Sequence, residues 1–594
     1  MKSLKNISAF RLSILISISL YVNSIYLYVI FCLYLFIKNI KELIIYIFIV
    51  LICLYIPKID FIPIGIVDEI KSDYVIVNKV LYKVKLYSNN LQVGDIVKCD
   101  NFNINTYTDI KKNILFYGND YEFISYIRIK RYLYNHLNIY KAETKSIFLQ
   151  LFYNIYTYDD IDINIGYGLP IYYLFQYIQK KNKYICIILL VLYSLLFNYQ
   201  TKFFLLIIDI IFYKFKSKER FTCKLFFICF INIKLFNNFS ILLPLLISLY
   251  SFFKIDIDFR IYLGIIESIL FCDFNMISLL MYKPFIIMRI MYFLFSILLL
   301  FFPNLEIIFL KLTNYYSLFN NISIFNIRGQ ISFVSLIVLL YLFKIIDNDI
   351  FNLKYGLFIL LLISPFNDIY ASVNFIDVGQ GDSILIKDVL NNGSILIDTG
   401  SNYNYYKLKK FLLKKGIYKI DYLIISHNDN DHCGNIENIQ KDFKIDNIIQ
   451  EPGDVKLNDI ILHNYYLGEF DNDNDNSLIY SLNINNKAFM FTGDISSEVE
   501  RMLVNNKGPF SIDILKASHH GSDSGNSDYF VANILPEYVI YSTSGQYNHP
   551  STHTIKTMDK YQVKQYSTKD CGDIYFVFTK LFSFIKTNNG GGII

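Results

Sequence analysis

The sequence predicts a polytopic α-helical membrane protein with a small OB-like β module and a C-terminal α/β domain. Three observations predict it. The 594 residues are 54% hydrophobic and 17% aromatic, richer than a soluble globular chain needs. Long apolar stretches separated by short basic or polar breaks recur as far as Pro365. Beyond Pro365 the pattern turns abruptly to short apolar runs alternating with helical periods.

Residues 1–60 hold apolar runs broken at Asn23 and at KNIKE, 38 to 42. Three transmembrane spans of about 15 residues fit, near the lower limit for a bilayer. Lys2, Lys5 and Arg11 at one end and Lys38 and Lys41 at the second break then face the cytoplasm, and the chain emerges outside near residue 60. The apolar region runs on past the length of a signal-peptide core, so it reads as a retained anchor. Residues 61–130 change to short β-like runs, GIVDEI, YVIVNKV, YKVKLY and DIVKCDNFNI, with a turn at SNNLQVGD. They read as a small extracytoplasmic β module. Residues 131–366 return to apolar stretches: ICIILLVLYSLLF, FFLLIIDIIFY, FSILLPLLISLYSFF, PFIIMRIMYFLFSILLLFFP, ISFVSLIVLLYLF and YGLFILLLISPF. About seven to nine crossings are expected. Arg260 and Arg289 either line an aqueous path for an anionic polymer or snorkel from helix ends.

Composition narrows the chemistry. The absence of Trp beside abundant Ile, Lys, Asn, Tyr and Phe has the look of codon bias in an AT-rich genome, so single aromatics carry little weight. A formal charge of +5 suits cytoplasmic loops as well as a nucleic-acid partner. Nine scattered cysteines without a CxxC pair argue against a disulfide framework or thiolate zinc site. No G-x-x-x-x-G-K-[ST] cradle occurs, so work against a gradient would need an outside energy source.

In residues 371–594 the candidate strands are VNFIDV, SILI, SILIDTG, DYLIISH, LIYSLNI, FMFTGD, DILKAS, YVIYST and DIYFVF. YKLKKFLLKKG, SSEVERMLV and THTIKTMDKY carry helical spacing, and the final KTNNGGGII is expected to fray. The stretch LIISHNDNDHCGN places His427, Asp429, Asp431 and His432 after a strand, where α/β proteins present their ligands. Two imidazoles and two carboxylates within six residues suit Zn²⁺ or Mn²⁺, whereas a turn needs one Asp or Asn. Further strand ends deliver Asp494 in FMFTGD and His519 and His520 in DILKASHHGS, and His549 follows in YNHP. DNDNDN fails as a calcium loop, because Asn476 and Leu482 stand where Gly and Glu belong. GSDSG has Asp523 where a serine-nucleophile elbow needs Ser.

This ordered set resembles the metallo-β-lactamase superfamily, an αββα sandwich with metals along one edge. Its usual first motif is His-x-His-x-Asp-His; here Asp429 replaces the second His. With DVGQGDS, LIDTGS, TGD, LKASHHGS and the HP at 549, the chain is similar to the branch attached to ComEC-type DNA-uptake channels, in layout over nearly its full length. Two departures stand out. INIGYGLPIYYLF lacks that family's His-rich run and Ser-Gly-Leu-His pattern, and the third-motif His is missing, with Asp473 nearest by spacing.

The resemblance implies a metallo-β-lactamase-like domain over 371–594 that binds one or two divalent ions, Mn or Zn. His427 and Asp429 would hold one, Asp431 and His432 the second, Asp494 would bridge, and His549 would complete the second site. Asp431, His520 and Asp382 are the expected catalytic residues. Asp377, Asp398 and His519 are expected behind the ligands, with turn capping the rival for Asp377 and Asp398. Two ions would activate a water and stabilise both attacking and leaving oxygens of a phosphodiester. The implied function is passage of single-stranded DNA across the inner membrane, with 61–130 and 371–594 extracytoplasmic and the hydrolase degrading the other strand of the duplex. An external ATPase or other energy source and a DNA receptor would be partners. The rivals are a membrane-anchored metallohydrolase for another phosphoester or a lactone, and a channel whose hydrolase-like domain only binds DNA.

Overall fold

A computed structural model describes residues 25–38, 40–55, most of 64–149, 169–197, 203–231, 272–275, 282–320, 326–329, 370–579 and most of 583–593, with a few isolated positions. The chain divides into two units, 1–259 with 277–324 and 260–276 with 325–594.

In the first unit β1 (Ile64–Ile70), β2 (Val75–Asn78), β3 (Lys83–Leu86), β4 (Asp95–Lys98), β5 (Phe102–Ile104), β6 (Ile114–Gly118) and β7 (Glu122–Tyr126) form one seven-stranded sheet. It is larger than the five-stranded barrel of an OB fold. Alternate side chains Val75 and Val77 of β2 and Val84 and Leu86 of β3 pack against Leu205, Phe221, Leu225 and Ile228. Those last four belong to the helices Phe203–Ile211 and Ser217–Ile231, the first of which lies within a predicted membrane span.

The membrane architecture expected for 1–60 and 131–366 is therefore corrected. Among the described residues no helix is long and apolar enough to cross a membrane. Ile25–Lys38 has 14 residues, Ile40–Tyr55 16, Lys183–Leu196 14 and Phe203–Ile211 9. At about 1.5 Å per residue, 14 residues reach roughly 21 Å, short of the ~30 Å hydrocarbon core. The 20-residue helix Tyr282–Phe301 carries Lys283, Pro284 and Arg289. The physical reason is that these Ile-, Phe- and Tyr-rich runs fold as short helices that pack one face on one another, with Phe175, Tyr193 and Phe203 in contact, while side chains such as Ile37, Ile188 and Met291 stay exposed. Asp209 and Lys224 add a buried ion pair of 2.6 Å between two of them. The predicted spans at 239–253, 331–343 and 355–366, and Arg260, lie outside the described residues apart from isolated positions.

The second unit holds a two-stranded ribbon of β8 (Asp273–Asn275) and β9 (Asn326–Arg328), and two larger sheets. One runs β14-β13-β12-β11-β10-β22-β23-β24 and the other β15-β16-β17-β18-β19-β20-β21. The strands are β10 (Ala371–Phe375), β11 (Ile384–Lys387), β12 (Ser394–Ile397), β13 (Lys419–Ile424), β14 (Lys444–Ile449), β15 (Val455–Leu457), β16 (Ile460–Asn464), β17 (Tyr480–Ile484), β18 (Lys487–Phe491), β19 (Ile514–Lys516), β20 (Tyr538–Tyr541), β21 (Lys564–Ser567), β22 (Ile574–Phe578), β23 (Ser583–Thr587) and β24 (Gly590–Ile593). A two-residue period decides the layers. Ile384, Ile386, Ile395 and Ile397 face inward against Phe489, Phe491 and Ile540 of the other sheet. Leu385 and Leu396 face outward under Leu408, Phe411 and Leu412 of the helix Tyr405–Lys414. On the far side Met490, Leu515 and Val539 are covered by Val499, Leu503, Phe530 and Met558 of three helices. The result is the expected αββα sandwich, with strands apolar on both faces because both are covered.

All nine candidate strands appear. Those not foreseen lie at or near sheet edges: β14 is half-exposed and polar, β15 and β16 are short, and the glycines of β24 have no side-chain pattern. The tail expected to fray instead pairs β23 with β24, from Thr587 opposite Gly590 to Phe584 opposite Ile593.

Candidate metal centre

Strand direction builds the site. β12 and β13 run parallel, as do β18, β19 and β20. The carboxyl ends within each set therefore lie together and present Asp398, His427, Asp494 and the Ser518–Gly521 turn. The short helix Asn430–Cys433 returns His432 to the same place. Gly381, in the left-handed region, lets its loop lie against this helix, for a Cβ there would run into the Asp431 carbonyl. Asp382 N–H donates to that carbonyl at 3.1 Å.

Three imidazoles converge on one oxygen. Asp494 Oδ2 lies 3.2 Å from His520 Nε2, 3.3 Å from His432 Nε2 and 3.7 Å from His519 Nε2. Asp431 Oδ2 is 3.3 Å from His520 Nε2. Each ring is held from behind. His432 Nδ1–H donates to Asp398 Oδ2 at 2.8 Å, and Asp398 also accepts the Ser426 N–H and Oγ–H, both at 2.7 Å. Asp382 Oδ1 faces His520 Nδ1 at 3.4 Å. Ser426 and Ser477 stand 3.1 and 3.3 Å from His427 Nδ1; having given their own protons to Asp398 and to the Asn474 carbonyl, they accept there. In the neutral ring a proton held at Nδ1 makes Nε2 the atom that His432 and His520 would offer to a metal.

This is the donor set a divalent ion needs. The buried Nε2 atoms of His427, His432 and His520 make no hydrogen bond, a costly state unless something occupies the space between them. Ligand atoms bound at about 2.0–2.2 Å stand roughly 3–3.5 Å apart, close to the separations seen. Asp382, His432, Asp494 and His520 all offer atoms within 4.8 Å of one another, but Asp382 is engaged by Lys516. The Lys516 ammonium, on β19 and 1% exposed, pairs with Asp382 Oδ2 and reaches the Gly493 carbonyl at 3.0 Å and Asp494 Oδ1 at 3.4 Å. Sequence reasoning missed it because a Lys ending an apolar strand looks like a solvated terminus.

Electrostatics favour a cation. Burial alone would push His432 down, but Asp494 and Asp398 outweigh it and raise the imidazole to about 10. Burial is likewise outweighed at His520, which Asp494 and Asp382 hold well above its ordinary value, and at Asp494, held well below by His520 and His432. His427, His519 and His549 are pushed down, chiefly by burial.

The remaining predicted residues divide. Asp429 is half-exposed, its Oδ2 3.6 Å from His427 Nε2 at the open side. His549 lies beside His519, the rings tilted with centres 6.0 Å apart, and its Nδ1 is buried and unbonded. Asp377 accepts the Gly379 N–H and pairs with Lys407 at 3.0 Å, a turn cap. Asp473 lies in a 3₁₀ turn whose contact with the site is made by Ser477. Cys433 Sγ points to the Asn428 carbonyl at 3.2 Å.

Residues 376–479 match the family model described as "Metallo-beta-lactamase superfamily". Among curated relatives, ComE operon protein 3 of Bacillus subtilis is 27% identical over 265 residues, 36% of this chain and 34% of that protein. Recombination protein 2 of Haemophilus influenzae is 28% identical over 214 residues, 32% and 26% of the two chains. Competence protein ComA of Neisseria gonorrhoeae is 26% identical over 226 residues, 35% and 32%. The chain thus matches about a third or less of their length. A diphosphatase of the PhnP family is 13% identical, covering 35% of this chain and 98% of its own, with a TM-score of 0.24. The protein resembles ComEC-type competence proteins and carries a metallo-β-lactamase-like domain at its C-terminal end.

Proposed function

We propose that the C-terminal unit is a phosphodiesterase that hydrolyses DNA with Mn²⁺ or Zn²⁺, and that it serves DNA uptake by degrading the strand that does not enter. The observation that carries this reading is the convergence of the unbonded His432 and His520 Nε2 atoms and the Asp431 carboxylate around Asp494. Asp431, His432, Asp494 and His520 would hold an ion, and His427 with Asp429 would hold a second at the open side. A bound divalent ion supplies Lewis-acid polarisation of a phosphoryl oxygen and a water acidic enough to attack near neutral pH.

The protein's own groups do the rest. Asp398 locks the His432 tautomer, and Asp382, clamped by Lys516, stands behind His520 in the same way, a positioning role rather than contact with reacting atoms. Asp431, with a third of its side chain exposed, is the carboxylate placed to orient a water at the open side. His519 and His549 line that side against the substrate phosphate. Passage of a single strand across the membrane followed from the family resemblance alone, and among the described residues no helix is long and apolar enough to cross a membrane.

The test is cleavage of end-labelled duplex and single-stranded DNA by the full chain with Mn²⁺ or Zn²⁺, beside Asp494→Ala. Metal-dependent cleavage lost in the variant is expected. Intact DNA with turnover of bis(p-nitrophenyl) phosphate or a lactone would move the substrate elsewhere, and DNA bound but never cut would make the domain a binding module.

A further inference from the structure

At the mouth of the metal centre one aromatic side chain has no role in the fold. Tyr547 is 79% exposed, the most exposed tyrosine among the described residues. It sits in the left-handed region at φ 55, followed by Asn548 at φ 58, conformations uncommon outside glycine and held only where the surroundings impose them. The loop that carries them is held from below. Thr543 Oγ–H donates to Gln380 Oε1 at 3.1 Å, tying the loop to the Asp382 segment, and Gly545 N–H donates to Thr543 Oγ at 3.0 Å. Gly545, at φ +81, packs where a Cβ would meet Lys569 Nζ. The loop is thus anchored at its base while the ring at its tip is left in water.

From that ring a line of neighbouring rings, tilted or edge-on to one another, runs inward. Tyr547 lies 6.2 Å from His549, His549 6.0 Å from His519, and His519 6.0 Å from His520, ring centre to ring centre. His519 Nε2 stands 3.7 Å from Asp494 Oδ2. The exposed end of this line therefore lies a few side chains from the proposed reacting phosphate, with the exposed Lys569 beside its loop. An exposed aromatic next to a cation beside a phosphate-handling centre is the pairing that holds single nucleic-acid strands, the ring stacking on a base and the cation taking the backbone.

We propose that Tyr547 is a base-stacking subsite, which takes an unpaired nucleobase flanking the scissile phosphate, with Lys569 on the adjoining phosphate. The inference rests on the DNA-hydrolysis reading and deepens it to a substrate with at least one unpaired base at this position. A phenol ring offers a face to any base, so the subsite selects strandedness and not sequence.

The test measures binding of a fluorescent oligonucleotide of about ten nucleotides, and of the same strand with abasic sites, to the full chain and to Tyr547→Ala and Tyr547→Phe. Stacking on one ring predicts that Tyr547→Ala weakens the normal strand about 5- to 150-fold. Tyr547→Phe should stay within about threefold of wild type, and the abasic strand should not respond to either change. Equal loss for normal and abasic strands, or no loss for Tyr547→Ala, overturns the proposal. Cleavage by wild type is scored separately: a Tyr547-dependent strand that is bound and never cut leaves the subsite standing and removes the nuclease reading, whereas cleavage indifferent to Tyr547 does the reverse.

Discussion

Asp398→Asn isolates the role of the carboxylate behind His432. Asp398 has φ 59, a conformation Asn tolerates nearly as well as Asp, so the backbone should hold. The Asn carbonyl can still accept the Ser426 N–H at Oδ1. The other oxygen, which accepts from both His432 Nδ1 and Ser426 Oγ, becomes an NH₂ group. Two donors then face each other, and the imidazole relieves this by moving its proton to Nε2, the atom that faces Asp494. A protonated Nε2 cannot bind a metal. Loss of such a supporting carboxylate costs about 10- to 100-fold in metal affinity, which is about 1.4–2.7 kcal/mol. The assay is competition with a chromophoric chelator for Mn²⁺ and Zn²⁺ at pH 7.5 on the full chain, with circular dichroism to confirm folding. An affinity within twofold of wild type in a folded variant would mean that His432 does not bind metal through Nε2.

Four further outcomes follow from the same geometry. Asp431→Ala should leave the fold intact and reduce DNA hydrolysis by several orders of magnitude, read from single-turnover cleavage, because it removes the open-side carboxylate. Lys516→Met leaves Asp382 buried beside no ammonium and should cost about 3–5 kcal/mol, seen as a lower melting temperature, with Asp382→Asn in the same chain recovering part of it. In chelator-treated protein the raised His432 contributes stability that is fully present below about pH 6.5 and is lost as pH rises through about 10, so the melting-temperature advantage over His432→Asn should shrink across that window. The same shift makes metal binding release protons, so calorimetry in buffers of different ionisation enthalpy should show buffer-dependent heats at neutral pH.

The sequence by itself determined the strands of the C-terminal domain and marked the residues that meet at its site, for reasons local to the chain. Runs such as ILI and FMF are apolar at every position because both faces of their strands are covered, and imidazoles and carboxylates set at strand ends need no partner to be visible. His427, Asp431, His432 and Asp494 were legible in this way. The αββα order followed from resemblance, and the two-residue alternation of Ile384, Leu385 and Ile386 accounts for it physically.

Tertiary structure alone decided what stands behind what. Asp377, Asp382 and Asp398 all neighbour Gly-containing turns, and in sequence only Asp382 stands apart, as an expected catalytic residue. Packing sends the first to Lys407, the second between Lys516 and His520, and the third to His432. His519 and His520 are adjacent in sequence, but successive left-handed residues turn one ring toward solvent and bury the other. The same limit explains the error in the N-terminal half. Hydropathy records how apolar a segment is and not what covers it, so FFLLIIDIIFY reads as a membrane span, while in the fold Leu205 lies against a β-sheet and Asp209 pairs with Lys224. Apolar side chains are buried equally well by lipid or by protein, and only the three-dimensional partners distinguish the two.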